Sequence, residues 1–211
     1  MSFLDKLTSW FKTEPIDSLD ALEDFLDSRS AFLAQKCIYE YSRARSGINF
    51  QKLFKEQAFQ DAIFKSTWSS YPIACAFVCE MVEGQLRPFA GSDPGPLATG
   101  LGALAVRIFD RHPLPAGAPP TFWNDAIESV EQHLARAQLH APKTVRDIPM
   151  ERVQEIYDNL PIHPNLTGHD YVLIQNNIRT NFVQIYVEFD KSADCEGLAA
   201  ELTQFAERTA P

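Results

Sequence analysis

Apolar residues recur along most of the chain at the 3.6-residue rhythm of an α-helix. Near the start, Phe3, Leu4, Leu7, Trp10 and Phe11 fall on one side of a helical wheel, with Asp5, Lys6, Thr8, Ser9 and Lys12 on the rest. The pattern predicts a short amphipathic helix over residues 1–14, ended by Pro15, and a helical domain over residues 15–211. From about Ser18 to Arg45 the period is carried by Leu19, Leu22, Phe25, Leu26, Phe32, Leu33 and Cys37. Asp17 or Ser18 can accept the free amide hydrogens of its first turn. Asp20, Glu23 and Asp24 suit the positive end of the helix dipole. Gly47 stands where a helix-ending glycine belongs. Ser28-Arg29-Ser30 offers a break that would divide this segment in two.

Residues 49–87 read as two more helices. Phe50, Leu53, Phe54, Ala58, Ile63 and Phe64 form the stripe of the first, and Pro72 marks the first turn of the second, where proline is tolerated. Gly91 to Pro96 is a loop. Leu97 to Phe109 predicts an alanine-rich helix whose Gly100 and Gly102 suit a close approach by another helix. His112 to Pro120 holds four prolines and predicts a long loop, where the domain would divide into two subdomains. Phe122, Trp123, Ala126, Ile127, Val130, Leu134 and Ala137 line the next helix. A shorter one begins at Asp147 and Pro149. Asp170 to Asp190 fits both periods: Tyr171, Ile174, Ile178, Phe182, Ile185 and Phe189 suit a helix, whereas Val183, Ile185, Val187 and Phe189 also alternate as a strand would. Helix is the reading adopted, because no turn residue interrupts the segment. Cys195 to Arg208 closes the chain as an amphipathic helix. The expectation is an all-α fold, a multi-helix bundle or orthogonal array of eight to nine helices.

Charge narrows the choice of partners. Nineteen basic against twenty-eight acidic residues give a net charge of −9, which argues against nucleic acid, where Lys and Arg supply the binding energy. No run approaches the ~20 apolar residues of a membrane span. Four irregularly spaced cysteines, Cys37, Cys75, Cys79 and Cys195, without a secretion signal, argue against a disulfide framework, and Cys75 and Cys79, set among apolar neighbours, read as buried thiols. The expected location is cytoplasmic, with the inner face of a membrane as the alternative if residues 1–12 bind lipid.

Short catalytic motifs are missing. There is no phosphate-binding G-x-x-x-x-G-K-[ST], no G-x-G-x-x-G, no G-x-S-x-G and no H-E-x-x-H, so the sequence points to no cofactor and no metal. His133 and His140, seven apart, read as part of a solvated polar face. His163 and His169 flank a loop and precede Asp170. That set would suit a general base, while a helix cap at His169 or Asp170 is the ordinary reading.

Two constellations carry the candidate binding residues. Gln35, Tyr39, Glu40, Tyr41, Arg43 and Arg45 end the long helix, where arginine and tyrosine make a donor-rich surface for carboxylates, phosphates or a protein partner. Asn177, Asn181 and Gln184, with Arg179 nearby, form an amide stripe where a solvent-facing helix would ordinarily carry Glu and Lys; its first reading is a buried inter-helix hydrogen-bond network, ahead of a subunit interface or a polar-ligand site. These features favour a non-catalytic helical interaction protein that self-associates. The aromatic load and the Phe3, Leu4, Leu7, Trp10, Phe11 stripe support a second reading, a binder of an apolar, lipid-like ligand at a membrane surface. An enzyme without a short motif, using the His163, His169, Asp170 group or the Tyr/Arg cluster, is the third.

Overall fold

The structure is a computed structural model that describes residues 14–162, 168 and 170–209. The expected N-terminal helix, with Phe3, Leu4, Leu7, Trp10 and Phe11, therefore lies outside the described residues, as do His163 and His169. The fold is all-helical, with no strand among the described residues. Among the described residues seven helices carry it: α1 (Leu19–Ser46), α2 (Gln57–Leu86), α3 (Gly95–Asp110), α4 (Phe122–Ala137), α5 (Val153–Asp158), α6 (Tyr171–Ser192) and α7 (Cys195–Thr209). A single turn, Phe50–Leu53, and three 3-10 turns link them. The count falls short of eight to nine partly because two expected divisions do not occur.

The first concerns α1, which runs unbroken through Ser28-Arg29-Ser30. Ser28 and Ser30 turn their hydroxyls back onto the carbonyls of Phe25 and Leu26, at 3.3 and 2.6 Å, so neither competes with the helical ladder. Ser18 caps its start, accepting from the Ala21 amide at 3.4 Å. Gly47 ends it with φ 51°, a left-handed value that glycine adopts freely.

The second concerns α2, which is one helix of 30 residues, with Pro72 in its interior rather than at a first turn. An interior proline costs roughly 3 kcal/mol through its lost hydrogen bond and ring clash. Packing outweighs that here, because every residue from Ser70 to Glu83 is buried. A helix enclosed on all sides is the central element of a bundle, and α1, α3, α4, α5, α6 and α7 all touch it. Cys75 and Cys79 lie inside it as buried free thiols.

The outer helices complete the core. α3 packs on α7 so closely that a Cβ at Gly100 would stand 2.9 Å from the Leu202 carbonyl oxygen, which explains the glycine. Gly102 has ordinary room, with Glu131 Cγ at 3.5 Å. α3 is also pinned to α1 by ions: Arg107 and Arg111 share the buried Glu23 at 2.8 and 3.2 Å. One cluster of buried side chains draws on helices before and after residues 112–120. The segment 170–190 is helix, α6, lying antiparallel to α1. Ile16 donates to the Ser192 carbonyl at 2.9 Å and accepts from the Asp194 amide at 3.0 Å, which straps the chain before α1 to the end of α6.

Candidate functional site

The two candidate constellations come together, because α1 and α6 run side by side. The Tyr41 hydroxyl donates to Asp170 Oδ2 at 2.7 Å, and Arg45 pairs with the same oxygen. Further along, Asn177 Nδ2 donates to Glu40 Oε2 at 3.3 Å. At the far end, Arg29 clasps Glu188 with both ends of its guanidinium, its Nε at 2.7 Å from Oε2. Burial, and then the bond to Asp170, push the Tyr41 hydroxyl up to about 12. Asp170 occupies the cap position of α6, yet its side chain caps nothing and serves Tyr41 and Arg45 instead. This set is a clamp that holds α6 on α1.

The remaining candidates disperse. Gln35, Arg43 and Gln184 are exposed. Arg43 lies over the Phe50 ring at 5.3 Å, and Tyr39 packs edge-on against Phe54. Arg179 donates to the Arg146 carbonyl at 3.1 Å and stands 3.9 Å from Asp147. The amide stripe is not one uniform face. Asn181 is buried and donates to Asn177 of its own helix, at 2.9 Å to the carbonyl and 3.1 Å to the side chain. The reason is angular: Asn181 lies at the border of the apolar arc formed by Ile174, Ile178, Phe182, Ile185 and Phe189.

On the opposite arc, α6 presents Val172, Leu173, Asn176, Thr180, Gln184 and Val187 to solvent, with Val183 half-buried among them. Val172 and Leu173 are 57% and 61% exposed. No charged side chain interrupts this arc before Asp190 and Lys191 at its end.

The interior contains polar sets that sequence reasoning missed. Glu80 and Glu83 of α2 are both buried. Glu80 Oε2 meets His133 Nε2 at 2.6 Å, and Oε1 meets Lys143 Nζ at 3.2 Å; Lys143 also reaches Glu151 at 2.8 Å. Burial raises the Glu80 carboxyl, but the His133 hydrogen bond and the charges beside it outweigh that and hold it below the usual glutamate value. With Glu80 ionised, His133 must carry its proton on Nε2, and its buried Nδ1 has no partner. His133 is thus a core residue, correcting its placement on a solvated face. It falls in register with Ala126, Val130 and Ala137, and only its polarity hid it. Glu83 takes both arms of Arg87, at 2.8 and 2.5 Å, plus the Gln138 amide at 2.5 Å. Arg87 in turn donates to the carbonyls of Ala137 and His140, at 3.0 and 2.6 Å, and so closes the end of α4.

A cavity of about 30 Å³ lies beside Glu80, Glu83 and Lys143. That is room for a water or two, an order of magnitude below the ~300–1,000 Å³ of small-molecule sites. A third set joins Asp27, Tyr71 and His112: the Tyr71 hydroxyl donates to Asp27 at 2.5 Å, and the His112 ring stands 3.0 Å from the same oxygen. In each set the acids and bases are bonded to each other, an arrangement that fixes helices rather than one poised to act on a bound molecule. Among the described residues no group of His, Cys, Asp and Glu could hold a metal ion, and no helix is long and apolar enough to cross a membrane. Comparison with protein-family models, curated proteins and solved structures finds no match to any of the three.

Proposed function

We propose that the chain is a non-catalytic helical interaction protein that self-associates, and that the outward arc of α6 is its contact surface. The observation that carries this reading is an exposed helical face without charge in a chain of net charge −9. Local preference gives no reason for such a face. Valine and threonine are poorer helix formers than lysine or glutamate, and exposed Leu173, Val172 and Val187 gain nothing from water. Burial against another surface supplies the reason. The clamp of Arg29, Glu40, Tyr41 and Arg45 onto α6 supports the same reading, because it holds the arc rigid and outward.

Sedimentation velocity over a wide concentration range tests it. The expected result is reversible association that the double substitution Leu173→Glu, Val187→Glu abolishes while leaving the circular-dichroism spectrum unchanged. A protein that stays monomeric at every concentration overturns the reading.

A further inference from the structure

The outward arc of α6 has an internal order that specifies its partner. Leu173, Thr180 and Val187 repeat every seven residues, and Asn176 and Val183 fall three residues after the first two. This is a heptad seam, the spacing at which two helices stay in contact along their length when they cross at about 20°. Over its first four layers the seam runs apolar, amide, hydroxyl, apolar: Leu173, Asn176, Thr180, Val183, with Val187 beyond them. Turned end for end, it reads apolar, hydroxyl, amide, apolar. Laid over itself in reverse, this four-layer stretch matches apolar to apolar and polar to polar, and Val187 lies outside the pairing.

We infer that a second copy of this chain docks on this face, with the two α6 helices antiparallel and related by a two-fold axis at the level of Ile178. The inference rests on the self-association proposed above and adds the orientation and register. In this arrangement Leu173 packs on the partner's Val183, and Asn176 meets the partner's Thr180, each contact occurring twice by symmetry. The amide and hydroxyl can bond to each other across the seam, so neither is left unsatisfied when water leaves. A polar pair within an apolar seam also fixes register, because sliding by one layer would put Asn176 against an apolar residue.

Charge points the same way. Two copies at −9 each repel wherever their surfaces are acidic, and the α6 arc is a face on which they can approach without opposing charges. No ion pair forms across it, so added salt screens only the repulsion. Association is expected to strengthen between about 10 and 150 mM salt, the opposite of a salt-bridged interface. A single helix pair is smaller than the ~1,200–2,000 Å² of stable interfaces, so the dimer is expected to be weak and concentration-dependent.

Disulfide cross-linking in the full chain, carrying Cys195→Ser to remove the part-exposed thiol, tests the arrangement. Mixing Leu173→Cys protein with Val183→Cys protein is expected to give a cross-linked heterodimer, as is mixing Asn176→Cys with Thr180→Cys. Leu173→Cys alone is expected to give none, because the antiparallel register sets its two copies about 15 Å apart along the axis. Self-cross-linking of Leu173→Cys would mean parallel helices and overturns the inference. So does a heterodimer formed by Leu173→Cys with Val187→Cys but not with Val183→Cys, which would mean another register. A protein that sediments as a dimer yet cross-links at none of these positions overturns the inference and leaves self-association standing through another face. A protein that sediments only as a monomer overturns both.

Discussion

The middle of α2 and the outward arc of α6 invert the usual relation between burial and charge. α2 carries Glu80 and Glu83 in its buried stretch; Glu80 is met by His133 of α4 and by Lys143 after it, and Glu83 by Arg87 at the end of α2 and by Gln138 just past α4. The α6 arc, between Val172 and Val187, stands in water without a charge on it; Arg179 at its edge turns to the Arg146 carbonyl. Inside, charge is tolerated only because it is paired, and each set ties α2 to α4 or to the segment after it. Outside, charge costs little, so its absence points to a surface meant to lose its water. Most of the charged contacts are thus architectural, and the uncharged face is where function is sought.

The contrast can be broken most forcefully from within. Glu83→Ala leaves Arg87 half-enclosed without its carboxylate, and the expected loss is about 3–5 kcal/mol in urea unfolding. A midpoint shift of under 1 kcal/mol would show that the inner pairs do not hold the bundle. Gly100→Ala probes the interior without charge: the new methyl would press on the Leu202 carbonyl, and the expected cost is about 1–3 kcal/mol.

Titration separates the two regions next. Glu80 and Glu151 are held below their ordinary value, so the stability they add is present above pH 4.5 and is lost as the pH falls. Tyr41 and Cys37 are raised to about 12 from 10.0 and 9.0. Their contribution is present below those ordinary values and disappears as the pH climbs toward 12. Thermal melts should therefore weaken at both extremes. The α6 arc carries no titrating group between Val172 and Val187, so only the overall charge makes association pH-dependent, and it should strengthen modestly as the pH falls from neutral toward the isoelectric point near 5.0, where the net charge of −9 is lost. The smallest effect sharpens the contrast further. Leu173→Glu and Val187→Glu should move monomer stability by no more than about 0.5 kcal/mol while removing association.

The sequence made some of this visible and hid the rest for identifiable reasons. α1, α3, α4 and α7 each have one wet face, so their apolar stripes mark them, and Ser18 and Gly47 mark the ends of α1. From Ser70 to Glu83, α2 is surrounded by protein and has no stripe to read, so Pro72 resembles a beginning although it is an interior residue held by its neighbours. Glu80 could be noticed as a charge within an apolar run, but its partners stand at residues 133 and 143, and only the fold brings them near. The amide stripe was visible as a composition anomaly. Its division into a buried Asn181 and an exposed Gln184 depends on a few tens of degrees around the α6 axis, finer than sequence spacing resolves.

The backbone strap at Ile16 gives the molecule a built-in reporter. The Ile16 and Asp194 amides are shielded by the two hydrogen bonds that fasten the chain before α1 to the tail of α6. Their deuterium uptake therefore measures how often that tail lifts from the body. A second copy seated along α6 should slow the uptake in proportion to occupancy, so the same two peptides would follow assembly with no label attached.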